Sequence, residues 1–289
     1  MSLSCVILNY NDSETTVRLL QSIESFNIID HIILVDNFST DNSFDIFKKY
    51  ENEKIHVIQT PKNGGYGYGN NYGVKYAYFE LNSDYILIVN PDVEFSEKLV
   101  EELLDTMSKD PKCAVTSAVA LTPTGKRQSI IAWKLPSIKD YVLTGSIVYS
   151  KLFSKMNYSD DFFNSKEICQ VDCVPGSLLM VNAQKMISFG MYDEDIFLYC
   201  EETTLAHKFK KHDLKTLLLL NYSYIHRHSV SISKSIKSIK NRRKLILESR
   251  MIFLKKYYNV SNNKMVFIKV FFMLVLLENM TIYKLKGEV

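Results

Sequence analysis

Four apolar runs in the first ninety residues each end in a polar cluster able to meet a ligand: Asn9-Tyr10-Asn11, Asp36-Asn37, Pro61-Lys62-Asn63-Gly64-Gly65 and Asn90-Pro91-Asp92. A carboxylate such as Asp92 at a strand end can bind a hard divalent cation, Mn2+ or Mg2+, when substrate phosphates complete the coordination. Alone, the same three residues also read as an Asn-Pro turn with a helix-capping Asp. Asp36 can accept hydrogen bonds from a ribose hydroxyl or a base N–H, or can cap the turn that runs into Ser39-Thr40-Asp41. Residues 63–73 hold five glycines before a helical stretch, a composition that lets backbone approach a phosphate and leaves a helix N-terminus facing it.

Two further groups lie in the second half. Glu201-Glu202 follows the apolar Ile196-Phe197-Leu198-Tyr199 and opens a helix. Desolvation there would raise a carboxylate pKa toward working pH and suit a general base, although acids in a first helical turn are also ordinary. Consecutive helical residues point about 100° apart, so one of the two at most faces a reacting atom. His226-Arg227-His228 follows a strand and can contact a diphosphate or supply a metal ligand; only one of its histidines can face the site if the segment is extended. Nucleophilic catalysis has no support: Cys5 and Cys113 sit in buried-strand patterns, and no Gly-x-Ser-x-Gly elbow occurs.

The elements that must position these groups follow from periodicity. Runs 3–8, 32–35, 55–58 and 85–89 are strands, and 14–26, 42–50 and 70–81 carry helical spacing. Strand and helix in alternation predict an α/β fold, a doubly wound, mostly parallel sheet with helices on both faces, whose ligand crevice lies beyond the carboxyl ends of the strands. Farther on the pattern predicts strands 113–118 and 126–132 joined by a turn at 122–125, a helix 139–153, a loop 154–166, and a hairpin of 168–174 with 177–181. It also predicts a helix 201–211, a strand 216–220 and helices 239–257 and 262–285. The expected division is a catalytic domain over 1–231 and a C-terminal helical extension over 232–289.

Composition narrows the function. With 289 residues, 46% hydrophobic and 23% charged, the chain has ample core, and 35 basic against 32 acidic residues give a net of +3, too weak for nucleic-acid binding by charge. The charge is uneven, since 234–256 holds nine basic residues and one acid. Five scattered cysteines without metal-finger spacing, and no export signal, predict a cytoplasmic protein. The longest apolar stretch, 265–277, is shorter than a bilayer span and contains Lys269, so a membrane-surface helix at the inner face of the cell membrane is the expectation, with packing on the core or homodimer formation as the alternatives. A dinucleotide fingerprint would occupy the first strand-to-helix turn, where this chain has no glycine, and a phosphate-cradling Gly-x-x-x-x-Gly-Lys-Ser/Thr loop is also absent.

In order, Val6-Ile7-Leu8-Asn9-Tyr10-Asn11, Val35-Asp36-Asn37 through Asp41, Asn63 through Asn71, Asn90-Pro91-Asp92 and Tyr199-Cys200-Glu201-Glu202 resemble the motifs of family-2 inverting glycosyltransferases of GT-A fold, in particular their bacterial rhamnosyltransferase-like branch. The resemblance runs from about Leu3 to Ser231. It implies a UDP- or dTDP-sugar donor, a glycan or lipid-linked glycan acceptor, a metal on Asp92 and a catalytic base at Glu202. It further implies donor contacts from Asn9, Tyr10, Asn11, Asp36, Asn63, Gly64, Asn71, Asn90 and His226, and an acceptor side built from Gly176, Ser177 and Glu201. The chain departs from the pattern at Asn90, where relatives carry the first Asp of Asp-x-Asp, and at Glu201-Glu202-Thr203-Thr204, where they carry Glu-Asp-x-Asp. A non-catalytic sugar or nucleotide binder and a sugar-phosphate nucleotidyltransferase are the rival readings; the latter would want a glycine-rich, basic loop after the first strand.

Overall fold

In the computed structural model, residues 1–153, 156–227 and 238–287 are described. His228, Ser229, Ser231 and the domain boundary placed at 231 fall outside them. The first strands are β1 (Leu3–Asn9), β2 (His31–Asp36), β3 (Ile55–Gln59) and β4 (Tyr85–Val89), with β1–β2, β2–β3 and β1–β4 all parallel. Helices α1 (Ser13–Ile23), α2 (Ser43–Lys48) and α3 (Tyr66–Phe79) connect them. Side chains alternate across each strand with period two. Leu3, Cys5, Ile7, Ile32, Leu34 and Leu87 join one buried cluster with Leu19, Leu20 and Ile23 of α1. Val6, Ile33, Val35, Ile86 and Ile88 join another with Val74 and Ala77 of α3. The sheet is therefore covered on both faces, as the near-continuous apolar strands require.

The second half adds β5 (Val93–Glu94), α4 (Glu97–Ser108), β6 (Cys113–Leu121), α5 (Ile138–Leu143), α6 (Ile147–Phe153), α7 (Asp160–Phe163), β7 (Ile168–Val171), β8 (Leu178–Asn182), α8 (Ala183–Phe189), α9 (Glu201–Lys211) and β9 (Lys215–His226). The mixed sheet runs β3-β2-β1-β4-β8-β6-β9-β5, and β7 pairs with β9. Successive strands move outward from β1 through β2 to β3, and the chain then returns to place β4 on the other side of β1. The crevice between the carboxyl ends of β1 and β4 is thus the topological switch point where open α/β sheets bind ligands. Asn9-Tyr10-Asn11 and Asn90-Pro91-Asp92 flank it.

Several expectations are corrected. β8 is antiparallel to β4 and β6, and β7 is antiparallel to β9, so 168–174 and 177–181 are not a hairpin. The Pro175-Gly176 step instead carries the chain between distant strands. Residues 126–132 form no strand; the turn at 122–125 is present, but beyond it only Arg127 bridges back to Leu121. The predicted helix 139–153 is broken at Thr144-Gly145-Ser146 into α5 and α6, and Gly145 at the break packs closely, since a Cβ there would come within 3.2 Å of Leu247 and 3.3 Å of Phe272. A single turn of helix, α7, interrupts the expected loop 154–166.

The chain ends in two helices, α10 (Ile239–Lys256) and α11 (Asn262–Leu285), close to the expected bounds. They pack on the domain through Tyr141, Phe253, Leu254 and Val260, and through Leu247, Phe272 and Val275. Among the described residues α11 is the one helix long and apolar enough to cross a membrane by length and composition, with mean hydropathy 2.0 over its most apolar 18-residue window. The helix continues past the apolar run 265–277 to Leu285, and Glu278, just beyond the run, turns inward, where its Oε1 accepts from Ser146 Oγ (2.9 Å) and Val148 N (3.0 Å).

Candidate active site

Asp92 and His226 meet although 134 residues separate them in sequence. The register of β6 against β9 shifts between Ala118 and Val119, skipping from Leu219 to Ser223, and this bulge carries β9 onward to pair with β5, with Val93 opposite His226. Asp92 Oδ1 then lies 3.3 Å from His226 Nε2, both side chains being almost wholly buried. A carboxylate and an imidazole make an O,N donor pair that suits manganese. No third His, Cys, Asp or Glu joins them among the described residues, so the remaining positions would fall to diphosphate and water. The donor set fits a divalent ion.

Glu202 stands in the first turn of α9 and reaches the segment that leads into β8. Its Oε1 accepts from Gly176 N at 3.1 Å, while Tyr66 OH donates to Gly176 O at 2.8 Å, so this one glycine is held through both of its peptide groups. A Cβ at Gly176 would lie 2.9 Å from Glu202 Oε1. Ser177 Oγ is 2.8 Å from Tyr224 OH, and Ser177 O accepts from Asn90 N at 2.9 Å. Tyr224 is fully buried, and its hydroxyl pKa is raised first by that burial, then by the negative charge of both Glu202 and Asp92. Glu202 and Asp92 thus both act electrostatically on one buried tyrosine.

Glu201 is buried, and its Oε1 has no hydrogen-bond partner among the described residues. Burial, then the adjacent Glu202, push the Glu201 carboxyl up, and burial does the same to Glu202. Immediately before them Tyr199 and Cys200 both have φ of 71°. Two successive non-glycine residues in the left-handed region cost on the order of 1–3 kcal/mol each and persist only where their surroundings force them. Ser249 Oγ of α10 donates to Leu198 O at 2.7 Å, one of those constraints.

The other sequence-predicted residues divide by role. Asn9 is fully buried: its Nδ2 donates to Asp36 Oδ1 (3.1 Å) and Ser39 Oγ (3.2 Å), and its Oδ1 accepts from Thr16 Oγ1 (3.0 Å). Asp36 is also fully buried, and its other oxygen accepts from Ser39 N (3.0 Å) and Gln59 Nε2 (2.9 Å). In this structure both order the turn. Asn11, with φ of 53°, exchanges hydrogen bonds with Thr40 at the rim, where Tyr10 is half-buried. Phe38, 49% exposed with φ of 58°, stands two residues beyond Asp36. Sequence reading missed it; an aromatic within a polar turn was the available signal.

The glycine-rich segment is corrected. Asn63 Oδ1 accepts from Asn37 Nδ2 and Gly65 N, both at 3.1 Å, so it shapes the loop. Gly64 packs under Tyr68, where a Cβ would approach to 2.4 Å. Gly65 has φ of 92°, and a Cβ there would lie 2.0 Å from Phe197 O, which already accepts from Tyr66 N (2.9 Å). The start of α3 therefore packs against the 192–197 segment. Asn71, expected to touch donor, is buried and spent on that segment: Oδ1 accepts from Tyr192 N (2.7 Å), and Nδ2 donates to Tyr192 O (2.9 Å) and Glu194 Oε1 (3.0 Å).

A mixed α/β sheet with its ligand crevice at the β1/β4 switch point is the GT-A arrangement of glycosyltransferases, and the solved structures bear this out. The fold matches GalNAc-T7 solved with UDP, GalNAc and Mn2+ (TM-score 0.63, 15% identity, 89% of this chain and 49% of that one). It also matches the mannosyltransferase PcManGT of Pyrobaculum calidifontis with GDP-Man and Mn2+ (TM-score 0.59, 10% identity, 95% and 70%). At such identities the likeness concerns the fold. The glycosyl transferase family 2 model matches residues 4–172, and the chain belongs to that family. It is 25% identical over 212 residues to the low-salt glycan biosynthesis hexosyltransferase Agl10 of Haloferax volcanii, covering 73% of this chain and 62% of that protein. It is 23% identical over 147 residues to the rhamnosyltransferase WbbL of Escherichia coli K12, covering 49% and 53%. The chain thus spans less than two thirds of both relatives. The family match ends before Gly176, Glu202 and His226.

Proposed function

We propose that this chain transfers rhamnose or a hexose, with inversion, from a UDP- or dTDP-sugar to a hydroxyl of a polysaccharide or lipid-linked glycan acceptor, working at the cytoplasmic face of the membrane. The observation that carries the reading is the convergence on Tyr224 of the Glu202 carboxylate, held by Gly176 N, and the Asp92–His226 pair. A carboxylate that can take a proton and a pair that can face a diphosphate, both near one tyrosine, are the groups a displacement at an anomeric carbon needs.

Glu202 takes the proton of the acceptor hydroxyl as its oxygen forms the bond to the anomeric carbon. The bond from that carbon to the diphosphate oxygen breaks, and the diphosphate leaves with the electron pair. The raised Glu202 pKa makes it a stronger base, and its cause is burial. Asp92 and His226 would hold Mn2+ or Mg2+, which when bound supplies positive charge to the departing diphosphate. Asp36 and Asn9 hold the turn that presents Tyr10, Asn11 and Phe38 to the nucleoside, and Gly176 and Ser177 border the acceptor. Names of the two relatives, a hexosyltransferase and a rhamnosyltransferase, support the choice of sugar.

The test is a thermal-shift panel of UDP, dTDP, GDP and NAD with and without Mn2+. Stabilisation by UDP or dTDP that grows with metal and shrinks in Asp92→Asn is the expected result. A response to NAD alone, or to no nucleotide, overturns the reading.

A further inference from the structure

We propose that the outer face of α11 is an in-plane docking surface for an anionic lipid bilayer, and that the helix lies on the membrane without crossing it. Val266, Phe267, Val270, Met273, Leu274 and Leu277 are all more than half exposed. Their spacing, i, i+1, i+4, i+7, i+8 and i+11, puts them on one helical stripe about 17 Å long. A solvent-facing stripe of this kind is costly unless something apolar covers it.

Charge chooses the occupant. Lys269 flanks the stripe, Lys264 precedes it and Lys284 and Lys286 follow, all four exposed. The single acid of α11, Glu278, is turned away and bonded to Ser146 and Val148. An apolar face edged by lysines and free of outward carboxylates is complementary to anionic headgroups over acyl chains. A second copy of this chain would bring its own lysines against these, with no acid on the stripe to meet them.

Length and hydropathy alone would allow a spanning helix. The opposite face excludes it: Phe272 and Val275 are buried in the domain, Asn279 is buried, and Arg243 of α10 donates through Nε to Tyr283 OH at 3.1 Å. A helix held against the domain from Phe272 to Tyr283 offers lipid its other side. The same hairpin reaches the active site, since Ser249, Lys256 and Tyr257 of its first arm and the adjoining turn bond Leu198, Asp193 and Asp195, just ahead of Glu201. Resting on the glycosyl-transfer reading, this geometry sets the base beside a bilayer surface, where a lipid-linked acceptor is presented.

The experiment is co-flotation of the whole protein with phosphatidylcholine vesicles, with and without 30% phosphatidylglycerol, at low and high salt. The same assay is run on Phe267→Glu and Leu274→Glu, with Phe79→Glu, on an exposed aromatic of α3, as control. The expected result is flotation with anionic vesicles only, weakened by salt, lost at least about tenfold in the two α11 variants and kept in the control. No flotation of the unaltered protein, or flotation indifferent to both variants, overturns the proposal. So does a concentration-dependent dimer that the two variants abolish, which would give the face to a second copy, and so does extraction from cell membranes by detergent alone and not by alkaline carbonate, which would mean a spanning helix. Nucleotide thermal shifts on the same variants separate the two readings: intact shifts with failed flotation leave the transferase standing without the membrane surface.

Discussion

Replacing Glu202 by Gln tests the chemistry with little disturbance to the structure. The amide oxygen can still accept from Gly176 N, the 3.1 Å contact that holds the carboxylate, so the Tyr66–Gly176–residue 202 clamp survives. The variant loses the ability to take a proton. General-base catalysis is worth about 10²- to 10⁴-fold, so kcat falls by that factor, about 3–5 kcal/mol of barrier at 1.36 kcal/mol per decade. Donor KM stays within about threefold, because Asp92, His226 and the β1 and β2 turns are untouched. Measured by release of nucleoside diphosphate, the unaltered enzyme gains activity with pH as the pair ionises above the ordinary carboxylate range, and the variant's residual rate has lost that rise. Turnover within about tenfold of the unaltered enzyme, with the pH profile unchanged, would refute the base assignment.

Glu201→Gln should stabilise the fold at neutral and alkaline pH. Folding raises the pKa of this pair, through burial and then mutual repulsion, so the pair favours the folded state below the unfolded carboxylate pKa of roughly 4.3, and that contribution is lost as pH rises through the raised folded value. Melting curves from pH 4 to pH 9 check it; a variant less stable at pH 9 contradicts the account. Gly65→Ala places a Cβ 2.0 Å from Phe197 O at a φ of 92° and breaks the Tyr66–Phe197 hydrogen bond, a loss of about 2–4 kcal/mol and about 5–15 °C in Tm. A melt unchanged within about 2 °C rejects that packing role. Asn71→Ala strands Tyr192 N and O in a buried site, costing about 2–4 kcal/mol with nucleotide affinity nearly unchanged in the folded fraction; a tenfold loss of UDP binding at full stability would restore Asn71 to the donor site.

How far these residues were legible in the sequence follows from range. The parallel half was readable because each strand is an uninterrupted apolar run closed by a turn cluster, and its partners are neighbours along the chain. Beyond Pro111 the pairings join segments far apart, β6 with β9 and β8 with β4, and an apolar run such as Leu178–Asn182 says nothing about which strand it will meet. The hairpin reading of 168–181 failed there. Glycine composition misled for a related reason. A run of glycines signals close approach of backbone to something, and the tertiary structure shows contacts of Gly65 and Gly67 with the 192–197 segment and of Gly69 and Gly73 with the sheet.

The 192–200 segment also ties the C-terminal hairpin to Glu202. The segment from Tyr192 to Cys200 must end in two left-handed residues to aim Glu202 at Gly176, a conformation its own sequence does not favour. It is pinned from one side by α3, through Asn71 and the approach of Gly65 to Phe197. From the other side α10 and the adjoining turn hold it through Ser249 to Leu198, Lys256 to both Asp193 and Asp195 at 2.8 Å, and Tyr257 to Asp193 at 2.7 Å. Lys256 and Asp195 sit near solvent and add little individually, but Asp193 is buried, so removing its partners would leave a desolvated carboxylate. The placement of Glu202 is consequently set by contacts from α3 in the first half of the chain and from its C-terminal hairpin, and the helices after residue 238 brace the strained turn ahead of it.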